Sequence, residues 1–184
     1  VMVYNYVIEK IQSCDDIATV RDIANSVNKN QVKNKKWLIK YLQPYLDMYT
    51  DCKILVAAGW HGLAAHFIDK NVISFDMDEN CKKVSLFPNV KYQTASIEDY
   101  DPSEFDIIIW TSCEHITDKV INDFIKKKKH SALVVLQSNN YFEIKDHINC
   151  KKDCNEFAEN IDMKILEKRT LKLKNYNRFM VIGV

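Results

Sequence analysis

The stretch CKILVAAGWHGLAA (Cys52–Ala65) decides how the rest of the chain is read. An apolar run ends at Gly59, passes through Trp60 and His61, reaches Gly62 and returns to small helix formers. Gly59, Gly62 and Gly183 are the only three glycines in 184 residues, so two of them three positions apart mark a turn that needs them. Strand, tight turn, then helix is the predicted local structure, because glycine lets the backbone turn where a Cβ would obstruct it.

Four more short apolar runs follow: NVISFDM (71–77), VKYQTAS (90–96), FDIIIWTS (105–112) and SALVVLQSN (131–139). Runs that are apolar on both faces are what buried parallel strands look like. The spacers LAAHFIDK, ENCKKVSLF and ITDKVINDFIKKKK have the period of crossover helices. Alternation of this kind predicts a doubly wound α/β sheet. The end differs: KILEKRTLKLKN and YNRFMVIGV follow each other almost at once. Two strands so close in sequence imply an antiparallel pair, since a parallel pair needs a long crossover. The expected total is about seven strands, the last pair antiparallel.

Residues 1–50 read as a helical cap ahead of a 51–184 sheet domain. Val3, Tyr6, Val7 and Ile11, then Ile17, Val20, Ile23 and Val27, recur at helical spacing. Trp37, Leu38, Tyr41, Leu42 and Tyr45 do so in a third segment, where Pro44 is expected to bend or end the helix. The polar run NKNQVKNKK (28–36) reads as a loop.

Composition narrows the class. A hydrophobic fraction of 47% and a charged fraction of 28% fit an ordinary globular domain. A formal net charge of +1 supplies no global field for nucleic acid or a membrane surface. No segment reaches the ~18–20 apolar residues that span a bilayer. Six scattered cysteines and no secretion signal suggest reduced thiols and a cytoplasmic setting. The run Lys126–Lys129 reads as a solvated helix end.

In open α/β sheets, ligands bind beyond the C-terminal ends of the strands. Gly59, Trp60 and Gly62 lie at the first exit turn, and Asp76 ends the second strand, placed for the hydroxyls of a ribose. Asp78 reads as the cap of the next helix. No Gly-x-Gly-x-x-Gly and no Gly-Lys-Ser/Thr occurs, which argues against a pyrophosphate or triphosphate cradle. A ligand with a ribose and no phosphate matches S-adenosylmethionine.

From Lys53 to Val184 the chain resembles a class I S-adenosylmethionine-dependent methyltransferase. ILVAAGWHG resembles the cofactor turn, VISFDMDEN the ribose motif, VKYQTASIEDYD the adenine motif and FDIIIWTSCEHITD the fourth-strand motif. TSCEHI followed by LQSNNYF…HINC also resembles a compact group of methyltransferase-like proteins found in phages and bacteria. The resemblance implies a Rossmann-like fold with a helical lid and S-adenosylmethionine as cofactor. It implies cofactor contacts from Gly59, Trp60, Gly62, Asp76, Ser96, Ile97, Ser112 and Cys113. Ala57-Ala58 stand where the family has an acidic residue that helps hold the methionine amino group, and Ser96 where it has Asp. Both differences imply altered contacts.

Methyl transfer must align a nucleophile and, where that is protonated, remove its proton. His115 is the general-base candidate, since imidazoles titrate near neutrality. Glu114 would orient it or bind a cationic substrate, or the pair would simply cap a helix begun at Ser112. Cys113 reads more readily as a small buried residue than as a nucleophile. Asn139, Tyr141, Trp37 and Arg178 are the substrate-contact candidates, with a small-molecule acceptor expected. His147, Cys150 and Cys154 offer three ligands where structural zinc wants four, so they read as one helix face and no metal is expected. Two alternatives stay open: a non-methyl use of S-adenosylmethionine (aminocarboxypropyl transfer, cyclisation or elimination), and a non-catalytic binding protein.

Overall fold

The computed structural model describes residues 2–68 and 70–184. Asp69, at the end of the predicted spacer LAAHFIDK, lies outside the described residues. Three helices come first, α1 (Met2–Gln12), α2 (Ile17–Ser26) and α3 (Lys29–Met48). Then follow β1 (Ile54–Ala57), α4 (Leu63–Ile68), β2 (Val72–Asp76), α5 (Glu79–Val84), β3 (Val90–Thr94) and β4 (Ile107–Trp110). After a short 3₁₀ turn at Cys113–His115 come α6 (Asp118–Lys126), β5 (Leu133–Asn139), α7 (Cys154–Glu159), β6 (Ile165–Lys172) and β7 (Asn177–Gly183). The sheet runs β3-β2-β1-β4-β5-β7-β6, with β7 antiparallel to both neighbours.

Alternate residues of each central strand serve opposite layers. Ile54, Val56, Ile107, Ile109, Val135 and Ile182 face the N-terminal helices and α4. Leu55, Ala57, Ile108, Trp110, Val134 and Val181 face α6 and α7. The cap is no separate body: Val7, Ile23, Leu38, Leu42 and Leu46 belong to the same core as β1 and β4.

Two expectations about α3 fail. Residues 29–36 are helical, because Asn28 caps the segment by accepting from the N–H groups of Asn30 and Gln31. The polarity of that run reflects a solvated first turn, in which only Asn34 and Lys35 are buried. Pro44 sits inside the helix without ending it. An interior proline costs about 3 kcal/mol, and fully burying Leu42 and Leu46 returns about 1.5–3 kcal/mol each.

A third failure concerns residues 140–153. His147 and Cys150 lie in an irregular connection, and only Cys154 begins a helix. The connection is held by Asn149, whose N–H donates to the Glu114 carbonyl and whose side-chain amide donates to the Ile116 carbonyl and to Asp118. Lys151 adds a 2.6 Å ion pair with Asp118. Local polar staples thus replace the helical ladder that spacing alone suggested.

Candidate functional site

The turn after β1 is built from both sides. Gly59 N–H donates to the Phe75 carbonyl at 2.9 Å, prolonging the β1–β2 pairing. A Cβ on Gly59 would lie 2.1 Å from Ser74 Oγ, so any larger residue would have to displace Ser74. Ala58 (φ +46°) and Trp60 (φ +52°) adopt left-handed conformations that side chains disfavour, as does Gly62 (φ +80°) without penalty. Such strain costs on the order of 1–3 kcal/mol per residue and persists only where the surroundings impose it. Here Asp76 imposes it, with Oδ2 accepting the Trp60 N–H at 2.8 Å. Its Oδ1 accepts the Asp78 N–H at 3.1 Å. Each oxygen keeps a further lone pair for a ligand hydroxyl.

The cap closes over this turn through a residue that the sequence did not single out. Asp22 Oδ2, on α2, accepts from Trp60 Nε1 at 2.9 Å and lies 2.7 Å from His61 Nε2. No local signal distinguishes Asp22 from other acidic residues on a solvated helix face. Lys35, on α3, reaches inward and donates to Thr111 Oγ1 at 3.0 Å. Burial and the nearby Arg178 guanidinium push the Lys35 amine down to about 7, against a smaller opposing pull from Glu114.

Beyond β4, Glu114 is buried and ion-paired through Oε1 with Arg178 Nη1 at 2.6 Å. Arg178 Nη2 donates to the Thr111 carbonyl. Arg178 therefore stands in the site, with its guanidinium held by the protein. His115 is exposed, its Nδ1 3.1 Å from the Asp146 carbonyl. Ser112 makes no side-chain cap, and Thr117 caps α6 instead. Cys113 is fully buried, and burial with the adjacent Glu114 pushes its thiol well up, which leaves it a packing residue.

These groups surround a cavity of about 100 Å³, lined by Lys35, Gly59, Trp60, Ser112, His115 and Arg178 among others. Pockets for cofactor-sized ligands run to ~300–1,000 Å³. The helices α2 and α3 contribute Ser26, Gln31 and Lys35 to its wall. A wider hollow of about 500 Å³, lined by Thr50, Lys53, Lys70 and Lys91, lies at the N-terminal edge of the sheet. That is the wrong edge for ligands of an open α/β fold.

Several predicted residues do not line this cavity. Ser96 donates to Asp99, and Ile97 packs in the second core. Asn139 is buried, and its Oδ1 accepts from Tyr141 N and Cys150 Sγ. Tyr141 stacks on Tyr176 with ring centroids 4.9 Å apart. Trp37 packs edge to face on Tyr41, on a different face of α3 from Lys35.

No family model matches the chain, and no curated protein matches it by sequence. Solved structures do match in shape. Magnesium protoporphyrin IX methyltransferase (ChlM) from Synechocystis PCC 6803 with bound SAH has a TM-score of 0.63 at 11% identity, over 86% of this chain and 88% of that one. The N-methyltransferase NodS from Bradyrhizobium japonicum WM9 gives 0.62 at 11%, over 85% and 98%. A mutant of MtNAS in complex with S-adenosylmethionine gives 0.63 at 11%, over 97% and 72%. The fold is therefore that of class I S-adenosylmethionine-dependent methyltransferases. Among the described residues, no helix is long and apolar enough to cross a membrane.

Proposed function

We propose that this protein is an S-adenosylmethionine-dependent methyltransferase acting on a small-molecule acceptor. The observation that carries the reading is the strained Ala58–Trp60 turn held by Asp76, at the C-terminal ends of β1 and β2. Stored backbone strain at the ligand edge of this fold is the expected mark of a pre-organised binding turn.

S-adenosylmethionine supplies a methyl carbon on a positively charged sulfur. Asp76 would receive the ribose hydroxyls while keeping its backbone bonds, and the turn at Gly59 would allow close main-chain approach. Lys35 is the buried amine best placed to receive a carboxylate, whose charge would favour its protonated form, since Arg178 is committed to Glu114. Ala57-Ala58 offer no carboxylate to the methionine amino group, so that group must be held differently. Glu114 and His115 line the cavity and would serve the acceptor. His115 donates its Nδ1 proton to Asp146, which leaves Nε2 free to accept a proton from the acceptor.

Calorimetric titration with S-adenosylmethionine and S-adenosylhomocysteine tests the cofactor reading. Product analysis tests the reaction, because methyl transfer yields S-adenosylhomocysteine whereas the other uses of the cofactor yield methylthioadenosine. Absence of binding to either nucleoside would end the proposal.

A further inference from the structure

Glu114, His115 and His147 converge beside the cavity, and we infer that they form a site for one divalent transition-metal cation. One carboxylate oxygen and one ring nitrogen from each histidine lie within 4.8 Å of one another. Tertiary structure makes this meeting: Glu114 and His115 occupy the turn after β4, while His147 arrives on the 140–153 connection that Asn149 and Lys151 staple beside it.

Two independent observations point to a ligand. The Glu114 side chain is only 5% exposed, and its Oε2 has no hydrogen-bond partner among the described residues, Oε1 being taken by Arg178. A buried polar atom left unpaired costs about 1–3 kcal/mol, a penalty that a cation would remove. The second is the orientation of the imidazoles. His115 Nδ1 lies 3.1 Å from the Asp146 carbonyl and His147 Nδ1 lies 2.9 Å from the Tyr141 carbonyl. A carbonyl only accepts, so each Nδ1 carries the proton and each Nε2 keeps a free lone pair. Outer partners of this kind are what orient and fix the tautomer of metal-binding histidines.

The donor set selects the ion. Two imidazoles and one carboxylate suit Zn²⁺, Co²⁺ or Mn²⁺ better than Mg²⁺ or Ca²⁺, which favour all-oxygen shells. Arg178 holds Oε1, which leaves Oε2 as the single coordinating oxygen. Ligand bonds of about 2.0–2.2 Å require the donors to close in on one another. Cys150 Sγ lies by the protonated His147 Nδ1 at 3.7 Å and donates to Asn139, so it is no ligand. Three protein ligands leave positions open for a substrate oxygen, as in catalytic rather than structural sites. A bound cation would itself favour deprotonation of that oxygen, in place of the free His115 imidazole. Only this last consequence rests on the proposed methyl transfer; the binding does not.

The test uses the full chain, stripped with a chelator and titrated with Mn²⁺ and Co²⁺ without nucleoside, followed by electron paramagnetic resonance and visible absorption. One ion per chain is expected. His147→Ala and His115→Ala should each weaken binding roughly tenfold or more, with circular dichroism unchanged. His147→Gln, which keeps the volume, should match His147→Ala. Cys154→Ser should bind as the parent does, since that thiol donates to the Arg169 and Met180 carbonyls. No bound ion, or an ion indifferent to both histidines, overturns the inference. S-adenosylhomocysteine titrated separately into metal-free protein reports on the cofactor reading alone.

Discussion

Glu114 and Arg178 form a buried ion pair, Oε1 to Nη1 at 2.6 Å, across 64 residues of sequence. It ties the turn after β4 to the first residues of β7. Breaking such a pair by removing one partner strands the other charge and costs about 3–5 kcal/mol. Arg178→Met and Glu114→Gln should each lower the melting temperature, because each removes one charge of the couple and strands the other. Negligible shifts in thermal denaturation would show that the pair does not behave as a buried charge couple.

Asp22 links α2 to the turn, and one oxygen serves both Trp60 and the buried His61. Asp22→Ala leaves an imidazole and an indole N–H without partners, a loss of about 1–3 kcal/mol. The same change should raise the association rate of S-adenosylhomocysteine, because it unties the Trp60–His61 turn from α2. Stopped-flow tryptophan fluorescence would read that rate, and an unchanged value would mean that Asp22 does not gate entry.

Gly59 faces Ser74 with no room for a methyl group. Gly59→Ala should destabilise the fold, and Ser74→Gly in the same chain should restore part of the loss. Urea denaturation of the two variants measures the recovery. Without any, the obstruction must come from Val56, the next atom in line at 3.1 Å.

Lys35 titrates at about 7 in the folded chain against an ordinary value of 10.5. The unfolded chain therefore binds more protons between these values, and stability rises with pH across that window by up to about 1.4 kcal/mol per pH unit. Below about 7 both states are protonated and the dependence vanishes. Arg178, Glu114, His61 and His115 line the same cavity. Lys35→Met should flatten the rise between pH 7.5 and pH 9.5 in chemical denaturation curves relative to the parent, on the order of the slope above. A slope identical to the parent's would place the amine in water.

The central strands of the sheet were legible because they are short runs apolar on both faces, as 54–57, 107–110 and 133–136 are. The terminal antiparallel pair was legible from its short connection. The start of α3 was not, because a helix turn facing solvent has the composition of a loop until its cap at Asn28 is seen. Nor was the 140–153 connection, where the spacing of His147, Cys150 and Cys154 imitates one helix face while side-chain staples dictate an irregular path.

The sequence by itself determined the sheet, the Gly59–Gly62 turn and the carboxylate of Asp76, because strand periodicity and glycine geometry are local properties. Tertiary structure alone decided which distant groups share the cavity. Arg178 reaches it because β7 runs antiparallel to β5, which pairs Arg178 with Asn139 at the ligand edge. A parallel β7 would have carried that charge to the opposite edge. Asp22, Lys35 and His147 arrive by packing of the cap and of one stapled connection, and no spacing along the chain encodes contacts made between separate elements.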